Sequence, residues 1–197
     1  MATKKSPENA KDRILQAASR LFAEKGYDGA RMDEIARTAG VNKALIYYYF
    51  KSKQAILDEL FKAFFRESTA LMLNFVERGG FNENAEENKQ LFEKEYLGYM
   101  EQCPEVVTLL FTESLKKDRK DAPLFRLVDF THNEQEPRLA ALADRFSMSD
   151  QARQQMYVTE FFTGVIPFLS FVMLKEKWCR HFGVSREELN AYFARAM

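Results

Sequence analysis

The sequence predicts an all-α protein of about nine helices. Three observations carry that prediction. Apolar residues recur at helical spacing along nearly the whole chain, and no segment alternates in the manner of a strand. Only 8 Gly and 5 Pro interrupt 197 residues, too few for a turn-rich sheet protein. Start and stop residues mark the ends of several of the periodic segments.

In chain order, Ser6-Pro7 is a start signal, and the helix after it carries the stripe Ile14, Leu15, Ala18, Leu21, Phe22 until Gly26. A short helix at Met32–Ala39, a turn at Gly40-Val41-Asn42 and a second short helix at Lys43–Tyr49 follow. Ser52 caps a long helix whose stripe runs Ile56, Leu57, Leu60, Phe61, Phe64, Phe65, Leu71, Met72, Phe75, Val76, closed by Gly79-Gly80. Asn82 to Asn88 reads as a polar loop. Helices are expected at about 86–102, 104–117 and 122–146, with Pro104 as a boundary and Pro137 as a kink or split. Another spans about 149–177, interrupted at Gly164 and Pro167. The last opens with a capping box, Ser185 and Glu188, and a hydrophobic staple between Val184 and Leu189.

Charge is unevenly placed. The net charge is zero, but residues 1–53 carry 11 Lys and Arg against six acids, and the remainder is acidic by the same margin. A basic end on an acidic body suggests that one part meets a polyanion. Cys103 and Cys179 stand 76 positions apart without a CxxC, which points to a reducing cytoplasm rather than a disulfide framework. No apolar run follows the basic N-terminus, so no signal peptide is expected. The stretch Phe161 to Leu174 is too short to span a bilayer and is broken by Thr163, Gly164, Pro167 and Ser170, so no membrane partner is expected.

The chemistry-bearing pattern lies at Ala36, Gly40 and Ile46. A helix-turn-helix needs a small residue where its two helices cross, a residue tolerant of a left-handed backbone in the turn, and an apolar anchor on the second helix. Those three residues supply them, supported by Ile35, Ala39 and Val41. With Ile46 facing the core, the 100° helical step turns Ala44 and Tyr48 directly outward, with Leu45 and Tyr47 on the flanks. Tyr47-Tyr48-Tyr49 cannot all be buried on so short a helix, and tyrosine offers a ring to thymine methyls and a hydroxyl to phosphate. Lys43 and Lys53 bracket the segment. The helix after Ser52 turns its free N-terminal N–H groups toward the same side.

Residues Ile14–Tyr27, Asp33–Lys43 and Ile46–Lys53 together resemble the tetracycline-repressor (TetR/AcrR) family over about residues 10–60. The resemblance implies a helix-turn-helix DNA-binding domain at 1–53 and a helical effector-binding and dimerisation domain at 54–197. It implies a homodimeric transcriptional regulator, expected to be a repressor, that binds a pseudo-palindromic operator of double-stranded DNA and is released by a small effector. By position, Tyr47 and Lys53 correspond to backbone contacts and Tyr49 to a place often held by histidine. Lys43, Ala44, Leu45 and Tyr48 fall where the family varies and reads bases. Arg31 stands where Thr or Ser usually caps the second helix, so the cap is lost and the guanidinium is free to reach a phosphate. Asn42 replaces the more common Ser and retains capping ability.

The resemblance also places the last two helices in a four-helix bundle between two copies, with Phe161, Val165, Leu169, Val172, Leu189, Tyr192 and Phe193 at the interface. A pocket between the long helices is expected to draw on Tyr96, Tyr99, Met100, Phe125, Asp129, Glu160 and Thr163, and the abundance of Phe and Met favours an apolar or aromatic effector. His132 and His181 are isolated and no metal-ligand spacing occurs, so neither cofactor nor metal is expected. No nucleophile elbow, phosphate loop or acid–base pair is found, and an enzyme is not expected. The competing reading is a helical small-molecule-binding or scaffold protein whose head no longer reads DNA.

Overall fold

The computed structural model describes residues 9–78, 92–116, 122–131 and 149–196. Among these residues the chain forms nine helices and no strand. They are α1 (Ala10–Gly29), α2 (Met32–Thr38), α3 (Lys43–Tyr49) and α4 (Lys53–Glu77). Then come α5 (a π-helical turn Phe92–Leu97 running into Gly98–Gln102), α6 (Pro104–Ser114) and α7 (Pro123–Thr131). The last two are α8 (Asp150–Phe182) and α9 (Arg186–Ala196).

Helix ends follow side-chain chemistry. Ser6 and Pro7 lie outside the described residues, and α1 is capped by Asn9, whose side chain accepts from the Asp12 N–H. At Gly26 (φ 73°) α1 breaks and continues for one irregular turn, a backbone that β-carbon sterics deny to most residues. The Ser52 hydroxyl accepts from the Ala55 N–H at 3.1 Å and opens α4. The expected capping box forms at α9, where Ser185 Oγ accepts from the Glu188 N–H and the Glu188 carboxylate accepts from the Ser185 N–H.

The predicted interruption at Gly164 and Pro167 is corrected. α8 runs unbroken for 33 residues because Glu160–Val165 adopts a π-helical turn just before the proline. That wider turn carries the backbone across the place where Pro167 withholds its N–H. The helix is therefore long and apolar enough, by length and composition, to cross a bilayer, with an 18-residue window of mean hydropathy 1.6. Its Phe161, Phe168, Leu169, Phe171 and Val172 are instead buried against the rest of the chain. Pro137 and the 82–88 segment lie outside the described residues.

One contiguous core joins head and body through α4. Its first turns, Ile56 and Leu57, are fully buried in a head that α1 supplies with Ile14, Ala18, Leu21 and Phe22. Farther along, Phe61, Phe64 and Phe65 serve the body, where α4 packs on α5, α6 and α7. Each fully buried side chain of this size contributes about 1.5–3 kcal/mol. α1 also packs against α6, so the head touches the body at two places.

Candidate nucleic-acid interface

The turn between α2 and α3 is built as the spacing requires. Gly40 sits at φ +65° and the Val41 N–H donates to the Ala36 carbonyl at 3.0 Å. Ala36 is buried where the two helices cross, and Ile46 is fully enclosed. Asn42 Oδ1 accepts the Leu45 N–H at 2.8 Å and fixes the start of α3. At the other end the Phe50 N–H reaches the Ile46 carbonyl at 2.8 Å, and Phe50 is buried. A seven-residue helix has little stability of its own, so these caps and the Ile46 anchor hold it in place.

What α3 turns outward is aromatic. Tyr48 is 72% exposed, Tyr47 38% and Tyr49 39%. The Tyr48 and Tyr49 rings meet edge to face at 5.2 Å. Ala44 is exposed and Leu45 half-buried, in keeping with its flanking position. Lys43 pairs with Asp33 of α2 at 3.0 Å, and the hydrogen bond to that carboxylate raises the lysine above its ordinary value. Both groups are exposed, so the pair is screened by solvent. Arg31 is exposed at the start of α2 and makes no capping bond, as its replacement of a hydroxyl residue implies.

Lys53 departs from expectation. Its ammonium donates to three carbonyls at the end of α1, Tyr27 at 2.6 Å, Asp28 at 3.2 Å and Ala30 at 3.0 Å. It also lies 4.4 Å from the Tyr27 ring centre. All three protons of the ammonium are thus engaged inside the head, and contact with a phosphate requires at least one to be given up. Tyr27 continues the connection. Its hydroxyl donates to Gln54 Oε1 at 3.0 Å, Gln54 donates to Asp58 at 3.1 Å, and Asp58 pairs with Arg126 of α7 at 3.2 Å. Lys116, just after α6, pairs with Asp28 at 2.7 Å and with buried Glu113 at 2.8 Å. This junction between α1 and the body has no short-range sequence signal, since its members lie 88 positions apart.

The residues expected to line a pocket divide. Tyr96 of α5 sets its ring 5.3 Å from that of Phe168 of α8, and burial, then the charge of the Glu160 carboxylate, raises its phenol strongly. Tyr99 stacks on Phe64 at 5.9 Å, and burial followed by the Cys103 thiol beside it raises its phenol too. Met100 is a fully buried core residue. Phe125 is mostly exposed, although its ring meets that of Phe161 at 5.6 Å. The exposed Thr163 hydroxyl donates to the Thr159 carbonyl within its own helix. Asp129 is not with the tyrosines. It lines an open groove of about 590 Å³ between α4 and α7, with Asp58, Lys62, Arg126 and Phe130.

Phe161, Leu169 and Val172 are buried within the protomer and serve its own core. Val165, Leu189 and Phe193 are half-buried at the edge of that core, and only Tyr192 is exposed. α8 leaves exposed Val158 and Phe162, one turn apart, and farther along Leu174, Trp178 and Phe182 at four-residue spacing. Val158, Leu174, Trp178 and Phe182 escaped the sequence reading because α8 is apolar on more than one side. His132 lies outside the described residues, and among those described no three His, Cys, Asp or Glu cluster as metal ligands.

The profile of the family described as "Bacterial regulatory proteins, tetR family" matches residues 14–60. The biofilm operon icaADBC negative transcriptional regulator IcaR of Staphylococcus aureus is 46% identical over 55 residues, 28% of this chain and 30% of the relative. The transcriptional repressor NicS of Pseudomonas putida is 32% identical over 112 residues, 55% of this chain and 50% of the relative. The chain thus spans half or less of the length of these curated relatives. Among solved structures, the Bacillus subtilis transcriptional regulator FadR in complex with stearoyl-CoA superposes with a TM-score of 0.55 at 20% identity, covering 92% of both chains. That likeness extends the shared all-helical fold beyond the head.

Proposed function

We infer that this chain, whose residues 14–60 place its N-terminal domain in the tetR family of bacterial regulatory proteins, is a ligand-responsive transcriptional regulator that binds operator DNA as a homodimer. The domain division is assigned to 53/54, within the first turn of α4, whose next turn, with Ile56 and Leu57, still packs in the head. Each head lays α3 in the major groove of one half of a pseudo-palindrome. Lys43, Ala44, Leu45 and Tyr48 face base edges, and Tyr47, Tyr49 and Arg31 face the backbone. Asn42 acts as the cap that orients the helix, and Lys53 acts mainly by holding the head together. The outcome is repression, in the cytoplasm.

The observation that carries this reading is the form of α3. It is a short helix capped at Asn42 and anchored by a fully buried Ile46, with three tyrosines and a lysine turned to solvent. A helix with no other purpose has no reason to leave Tyr48 so open. Dimerisation is assigned to the open apolar side of α8 with Tyr192 of α9. A small apolar or aromatic effector is assigned to the region of Tyr96 and Glu160. Its binding there would act on the head through α4 and the Tyr27–Lys116 junction, and by linkage operator DNA weakens effector binding by the same factor.

The test is fluorescence anisotropy of the chain with duplex from its own promoter region and with scrambled duplex, at several salt concentrations. Binding near nanomolar affinity, selective and with a steep log–log salt slope, is the expected result. Equal weak binding to every duplex, including fragments selected from the whole genome, refutes it.

A further inference from the structure

The outward face of α3 carries no Arg, Asn or Gln, and Lys43 is its one side chain able to read a base by a forked hydrogen bond. Asn42, the nearest amide, already spends its oxygen on the Leu45 N–H at 2.8 Å. Lys43 is the one cation on the helix, and its ammonium is held by the Asp33 carboxylate at 3.0 Å. Apart from the tyrosine hydroxyls, what remains outward is apolar. The Ala44 methyl is exposed, and one turn on lies the Tyr48 ring, 72% exposed and braced edge-on by Tyr49.

In the major groove the apolar group a base pair can offer is the thymine 5-methyl. Four residues of helix rise about 6 Å, or about two base-pair steps at 3.4 Å each. We propose that this protein selects its operator chiefly through thymine methyl groups, one against Ala44 and one against Tyr48, about two steps apart in each half-site. The proposal rests on the reading of α3 as a DNA-recognition helix and names the feature of the DNA that it recognises.

The experiment uses the full chain and a randomised duplex pool. The most enriched duplex is resynthesised with deoxyuridine for thymine within the half-sites, which removes only the 5-methyl groups. Burying a methyl is worth about 0.8 kcal/mol, or about fourfold, so losing two lowers affinity about fifteenfold per half-site. In Tyr48→Ala, an exposed position, the uracil penalty shrinks to about fourfold per half-site. Uracil placed only outside the half-sites leaves binding unchanged. Sequence-selective binding that stays within twofold on the uracil duplex overturns the proposal and leaves the regulator reading intact. So does a full penalty retained by Tyr48→Ala. Failure of the pool to enrich any duplex overturns both.

Discussion

Replacing Lys53 by methionine removes the ammonium but keeps an unbranched apolar stem of similar length. Three charge-assisted hydrogen bonds to the Tyr27, Asp28 and Ala30 carbonyls disappear, and with them the cation–π contact to Tyr27. A hydrogen bond to a charged group nets about 1.5–3 kcal/mol when buried, but Lys53 is only half-buried and water can replace part of what is lost. A total of about 2 kcal/mol is therefore expected, including about 0.5 kcal/mol from the ring contact. For a chain of this size that lowers the Tm by about 4–8 °C, read by circular dichroism without DNA. DNA affinity falls for every sequence, because α1 no longer holds α4 at a fixed angle, while the salt slope stays as in the wild type. Were Lys53 instead a phosphate ligand in both subunits, the slope would drop by about 1.8 and the Tm would hardly move. That second pattern refutes the role assigned here.

Arg31→Thr restores an N-cap to α2 and raises stability by about 1 kcal/mol. The matching rise in Tm is about 2–4 °C, and an unchanged Tm would mean that the first turn of α2 is already satisfied. The double variant Phe162→Asp with Trp178→Asp alters only solvent-facing positions of the protomer. It is expected to sediment as a monomer with wild-type helicity, and persistence of a dimer would move the interface elsewhere. The hydrogen bond from Lys11 holds the Glu59 carboxyl below its ordinary 4.5. A carboxyl depressed in the folded state stabilises above its unfolded value, and that contribution fades as pH falls through the lowered one. Lys11→Met is thus less stable than the wild type at pH 7, and the gap closes as pH falls through the lowered value; urea unfolding that gives the same gap at neutral and at strongly acidic pH refutes the pairing.

The head was legible in the sequence because its determinants are local. Gly40 in a left-handed turn, Ile46 as anchor, and Asn42 and Ser52 as caps each act within a few residues, so spacing alone reveals them. Lys53 shows the limit. Its place at the start of α4 was legible, but the direction of a flexible side chain depends on carbonyls 23 to 26 positions away. In α8 the difficulty is different. Phe161 and Phe162 are adjacent and equally apolar, yet one is buried and the other 64% exposed. Composition does not choose between them, and the π-helical turn at Glu160–Val165 shifts the helical register on which a periodicity argument relies. Tyr96 was singled out from a shared helical face and Glu160 as a polar member of an apolar run, whereas the charge effect between them arises from the packing of α5 and α8.

Trp178 is the only tryptophan in the chain, and it stands half-open on the apolar side of α8 with its indole 4.4 Å from the Phe182 ring. All indole fluorescence of the protein therefore originates on that surface. Emission excited at the red edge of the absorption band reports the polarity there and nowhere else. Dilution that parts two copies of the chain would wet the indole and move the spectrum to longer wavelength, so the molecule carries its own unlabelled gauge of association.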